Sequence, residues 1–177
     1  MDWHDVIQFW FEELSEKDWW GDSARLDGPI AERFGALHAA VSAAEMWSWR
    51  KEPEGRLAEI LVLDQFSRHI HRDTPSAFAQ DAMALALAQE AVDRGVDQKL
   101  AKERRHFLYM PFMHSESLKV HDRAMELFKA LGIAVDFEIR HRDIIIRFGR
   151  YPHRNESLGR TSTPEELEFL KQPGSSF

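Results

Sequence analysis

The chain contains no cysteine. That excludes a disulfide framework, a thiolate metal site and a cysteine nucleophile. It also lacks any apolar run near the ~18 residues a membrane span requires. Its start, Met1-Asp2-Trp3-His4-Asp5, has none of the basic-then-apolar order of a secretory leader. A cytoplasmic protein is therefore the expectation. Positive charge is in deficit: 23 Lys and Arg face 30 Asp and Glu, a formal net charge of −7. Such a balance argues against nucleic acid or a membrane surface as partner. Three catalytic signatures are missing as well, namely the Gly-x-Ser-x-Gly elbow, the P-loop and the dinucleotide fingerprint.

What the chain does have is enough apolar material for one domain spanning 1–177. At 177 residues, with 44% hydrophobic and 11% aromatic, it can bury roughly 70% of the surface its unfolded form exposes. The hydrophobic period is helical nearly throughout. Asp2 caps a helix over 2–14 carrying Trp3, Val6, Ile7, Trp10 and Leu14 on one stripe. Residues 15–28 read as a loop, and Pro29 opens a second helix. Pro53 starts a helix reaching about Arg72, and Thr74-Pro75 starts an alanine-rich one that ends at Gly95. A helix near 98–109 is expected to break at Pro111, which restarts one to Leu131, closed by Gly132. Asp136 caps a helix to Phe148, with Ile144-Ile145-Ile146 read as helical. Thr163-Pro164-Glu165-Glu166 is a capping box for a last short helix. Eight to nine helices without a strand pattern make the fold all-α. The apolar Phe177 is expected to be docked.

Function has to be sought where polar residues occupy apolar stripes. One buried register runs Leu57, Ile60, Leu61, Asp64, Arg68, and the last two, four apart, can pair. A second runs His114, Leu118, His121, Met125, Phe128, and a third Phe137, His141, Ile144, Phe148. Asp64, Arg68, His114 and His141 thus project from core-facing stripes near helix ends, where they could converge. Each also has a purely structural explanation, as an interior ion pair or a hydrogen-bonded core histidine.

Between Arg140 and Arg160 lies an island of six arginines and two histidines with no lysine: Arg140, Arg142, Arg147, Arg150, Arg154, Arg160, His141 and His153. Guanidinium groups suit bidentate recognition of carboxylate or phosphate. Equally, these arginines could neutralise the chain's own acids, Asp64, Asp81 or Glu116 among them. The ligand-binding candidates are Asp64, Arg68, His114, Glu116, His141, Arg147, Arg150, His153, Arg154 and Asn155. Two Glu-x-x-His pairs, Glu103/His106 and Glu138/His141, have the spacing of carboxylate-bridged di-iron bundles, but two such spacings are close to chance in this composition. No metal and no cofactor are expected. The tryptophans, all before residue 50, read as aromatic packing.

Several segments carry a resemblance: Leu63-Asp64-Gln65-Phe66-Ser67-Arg68, Phe107-Leu108-Tyr109-Met110-Pro111 with His114-Ser115-Glu116, and Phe148-Gly149-Arg150-Tyr151-Pro152-His153-Arg154-Asn155. With the ending Pro173-Gly174-Ser175-Ser176-Phe177, they resemble an uncharacterised bacterial family, domain of unknown function 924. The resemblance implies a tetratricopeptide-like α/α superhelical array and implies no reaction. Three functions compete. The first is binding of a small anionic ligand in an arginine- and histidine-lined pocket between helices. The second is an interaction scaffold holding an acidic peptide. The third is an enzyme using His114 or His141 with Asp64 or Glu116 as general acid–base.

Overall fold

A computed structural model describes residues 1–21 and 23–176, and these contain ten α-helices and no strand; the expected docking of Phe177 lies outside them. α1 (Trp3–Gln8) begins on Asp2, which accepts the His4 N–H at 2.8 Å while Asp5 accepts the Asp2 N–H at 2.7 Å. It runs on into a π turn, Phe9–Glu13. Residues 15–28 are not a plain loop. Ser15 and Asp18 form a capping box that starts α2 (Glu16–Trp20), and a 3-10 turn, Ser23–Leu26, leads into α3 (Asp27–Ser42). On α2, Trp19 donates to the Trp10 carbonyl at 3.1 Å and Trp20 lies parallel to Phe107 at 5.7 Å.

The centre of the molecule is a continuous rod over 53–70: α4 (Pro53–Leu61), a π turn (Val62–Phe66) and α5 (Ser67–Ile70). Leu57, Ala58, Ile60, Val62, Leu63 and Phe66 are fully buried on it. A helix apolar around most of its girth belongs in the middle of a core, and α4 indeed packs against α1 and two later helices. The 3-10 turn Trp47–Lys51 crosses its first turn so closely that a Cβ on Gly55 would sit against the Trp49 carbonyl. Glycine to alanine inside a helix ordinarily stabilises by about 1 kcal/mol. Here the obstacle is backbone, so Gly55→Ala is expected to cost about 1–3 kcal/mol net. Urea denaturation reads this directly, and an unchanged midpoint would refute the close crossing.

α6 (Asp81–Asp93), α7 (Lys102–Met113), α8 (Leu118–Leu131) and α9 (Val135–Phe148) then pack in order, each on the next. On α6, Ala84, Ala88 and Ala91 are buried against its neighbours while Ala82 and Ala86 are exposed. Pro111 does not break α7 as expected; it lies inside the helix, which ends only at Met113. Proline there removes one hydrogen bond, two residues before the helix stops, and its ring is buried with Phe112 and Met113. Gly132 closes α8 with φ 72°, the left-handed conformation glycine adopts without steric cost. Ile144, Ile145 and Ile146 are helical, the first two buried. Ile144 and Ile145 form a second apolar cluster with Tyr151, flanked by Phe148 and by Phe169 of α10 (Pro164–Leu170). No helix of the described residues is long and apolar enough to cross a membrane.

Candidate functional site

Asp64 sits in the π turn of the central rod, a local widening often found where a helix carries function. Its carboxylate is 1% exposed. At 2.7 Å it meets Nδ1 of His114, the residue that follows the last turn of α7. Gln65 donates to its other oxygen, and Arg68 Nη1 lies at 3.4 Å. Burial by itself would raise the Asp64 carboxyl, but His114 and Arg68 reverse that and hold it well below the usual carboxylate range. For His114, burial outweighs the attraction of Asp64 and lowers the ring below its ordinary value. The carboxylate thus takes the Nδ1–H of a neutral imidazole, which leaves the lone pair on Nε2. Nε2 has no hydrogen bond among the described residues and is not one of the buried unpartnered atoms, so it reaches the surface.

Arg68 goes less to Asp64 than its spacing implies. It donates to the Asp64 backbone carbonyl at 2.7 Å and makes a bidentate pair with Asp81, at 2.8 and 3.0 Å. Asp81, at the start of α6, also holds Arg154 at 3.2 Å. Arg154 donates in addition to the His114 carbonyl at 3.0 Å, and its guanidinium lies 4.7 Å from the rings of both Phe78 and Tyr151. It is 6% exposed, and its buried Nε has no hydrogen-bond partner among the described residues.

The rest of the arginine island does a different job. Arg160 clamps Glu116 at 2.7 and 2.9 Å, and Glu116 also accepts the Tyr151 N–H at 2.7 Å. Arg160 further donates to Asn155 Oδ1, and Asn155 Nδ2 reaches Ser162 and Glu166. Glu166 takes both arms of Arg150, which pulls its carboxyl down to about 2. Arg147 pairs with Glu165 at 2.9 Å, and Arg142 with Asp122 at 2.8 Å. Arg150 and Asn155 therefore latch the segment after α9 onto α10, Glu116 ties the same segment to the turn between α7 and α8, and Arg147 lies on the outside of that latch.

His141 donates Nδ1–H to the Phe137 carbonyl at 2.7 Å, and its ring is 5.8 Å from Tyr151. Burial pushes both His141 and His153 down to about 3. Glu138 does not act with His141. It turns to His121 at 2.7 Å, both side chains fully buried, and His121 Nε2 donates to the Ser115 carbonyl. No group of three metal-ligating side chains occurs among the described residues.

Of the ten candidates, the structure brings Asp64, Arg68, His114 and Arg154 together, with His141 and His153 joined through Tyr151. Asp81, Phe78 and Tyr151 were not among them. Asp81 was visible only as one acid able to neutralise the island, and nothing in its own helix marks it as shared by two arginines.

The family model described as bacterial protein of unknown function (DUF924) matches residues 6–174. A solved structure of a protein of unknown function from Agrobacterium tumefaciens is similar over 96% of each chain, with 38% sequence identity and a TM-score of 0.90. No curated protein matches.

Proposed function

The chain belongs to the DUF924 family of bacterial proteins of unknown function, and we propose that it binds a small anionic molecule over the His114 edge of the polar cluster, with His114 exchanging a proton with it. One observation carries this: a buried carboxylate fixes the His114 ring by Nδ1 and leaves Nε2 open at the surface. A histidine serving packing alone has no need of an open acceptor, whereas a general base does. Arg154 supports the reading. A guanidinium has five N–H donors, and among the described residues Arg154 directs donors to just two acceptors, Asp81 and the His114 carbonyl. Because Asp64 and Asp81 already balance Arg68 and Arg154, affinity would come from directed hydrogen bonds rather than from surplus charge. That favours a compact oxyanion such as a carboxylate or phosphate.

A scaffold is the second reading. The sequential packing of α6 to α9 is in keeping with a tetratricopeptide-like array, and Phe137, Ile139 and Ile146 on α9 are 55, 39 and 53% exposed.

Thermal unfolding against phosphate and small mono- and dicarboxylates tests the first reading. A ligand at about a hundred times its Kd adds about 2.7 kcal/mol, which should raise the midpoint by roughly 5–10 °C. His114→Gln is expected to fold and to lose most of that shift. If it keeps the full shift, or if no anion moves the native protein, the proposal fails.

A further inference from the structure

A second place on the molecule, sharing no residue with the His114 cluster, has the charge surplus that the cluster lacks. The 3-10 turn Trp47–Lys51, the first turn of α4 and the chain leaving α6 surround a depression of about 440 Å³. This lies within the ~300–1,000 Å³ of small-molecule sites. Five basic side chains line it: Arg50, Lys51, Arg56, Arg94 and Lys99. Two acids answer them from behind. Glu59, 1% exposed, takes both arms of Arg50, and Glu90 serves Arg56 and Arg94 together. Lys51 and Lys99 have no ion pair among the described residues. Five cations against two acids leave three positive charges in excess, on a chain whose net charge is −7. Glu52 and Asp93, although next in sequence to lining residues, do not line the depression.

The same rim carries Trp47, which is 64% exposed and stands apart from the packed Trp10, Trp19 and Trp20. An uncovered indole beside clustered cations offers a flat apolar face next to a site for multiple negative charge. Glu59 and Glu90 hold the arginines in fixed orientation, and guanidiniums so held match phosphate oxygens well.

We propose that this depression binds a nucleoside diphosphate, with the base against Trp47 and the two phosphates among Lys51, Arg94 and Lys99. The three negative charges of such a ligand offset the local excess. Recognition is by side chains throughout, which agrees with a sequence that has neither a P-loop nor a dinucleotide fingerprint.

The test titrates the full chain with ADP, pyrophosphate and adenosine, read by intrinsic tryptophan fluorescence and by calorimetry. ADP is expected to bind at least ~10-fold more tightly than either half, a difference of about 1.4 kcal/mol, and to weaken with added salt. Lys51→Glu with Lys99→Glu, both on exposed positions, should weaken ADP at least ~10-fold. Trp47→Ala should erase the advantage of ADP over pyrophosphate. His114→Gln should leave ADP binding unchanged. No ADP binding up to about 1 mM, indifference to the lysine reversals, or sensitivity to His114→Gln would each overturn the proposal. So would binding of an oligoglutamate peptide in place of ADP.

Discussion

Lowering the pH from 7.5 to 5 is expected to remove about 6 kcal/mol of folding stability, largely through three histidines. Burial, first, and then like charge nearby push His141 and His153 down to about 3 and His106 down to about 4. In the unfolded chain each titrates near ~6.5. Between pH 6.5 and about 4 the unfolded state therefore binds protons that the native state refuses. Stability is fully present above 6.5 and declines as pH falls, by about 1.4 kcal/mol per unit for each ring. By pH 5 that is about 2 kcal/mol each, out of a total stability of ~5–15 kcal/mol. Neighbouring groups add to the penalty of burial. His153 faces Arg154, Arg68 and His114, with Glu116 the one favourable neighbour, and His141 faces His114, His121 and His153. The ionised carboxylates act in the same direction but in a lower pH window. Asp64 and Glu166, with depressed values, contribute stability above their unfolded range near pH 4 and lose it only below. They do not account for a loss between 6.5 and 5. Urea denaturation across this range checks the sign, and His141→Gln or His153→Gln should make the decline shallower by about a third. A flat profile from pH 7.5 to 5 would show that these rings are not held neutral.

Asp81→Asn is expected to destabilise the protein by about 3 kcal/mol at neutral pH. The substitution keeps the shape and removes the one negative charge that Arg68 and Arg154 share. Arg68 keeps Asp64, but Arg154, 6% exposed, keeps only the His114 carbonyl. Its own charge is already opposed by burial and by Arg68. Breaking a buried pair from one side typically costs 3–5 kcal/mol, and the lower end applies because Asp81 is 21% exposed. Adding Arg154→Met should recover part of the loss, since it removes the stranded charge while filling the space beside Phe78 and Tyr151. A single variant within 0.5 kcal/mol of the parent, or a double variant weaker than both singles, would contradict the shared-carboxylate account.

Helix positions were largely legible in the sequence because they depend on information within a few residues. Asp2, Thr163-Pro164-Glu165-Glu166, Gly132 and the period-3.6 stripes act over one turn. The inward direction of Asp64, His114 and His141 was legible for the same reason, since a helical stripe states which face is buried. Pro111 was misread because a ring that breaks most helices is tolerated in a last turn buried on all sides. The Ser15–Asp18 capping box was overlooked among polar residues that resemble a loop.

What the sequence by itself determined is the all-α class, the helix ends and the polar residues facing inward. Which charge meets which was decided by tertiary structure alone. Asp81, already paired with Arg68, finds Arg154 across 73 positions of chain, and Glu116 finds Arg160 across 44. Lys51 and Lys99 meet around one depression only because the turn before α4 packs beside the end of α6. Periodicity encodes the burial of a face but carries no record of where two helices cross. At the crossing, a few ångströms separate an arginine that is neutralised inside the protein from one that can hold a ligand.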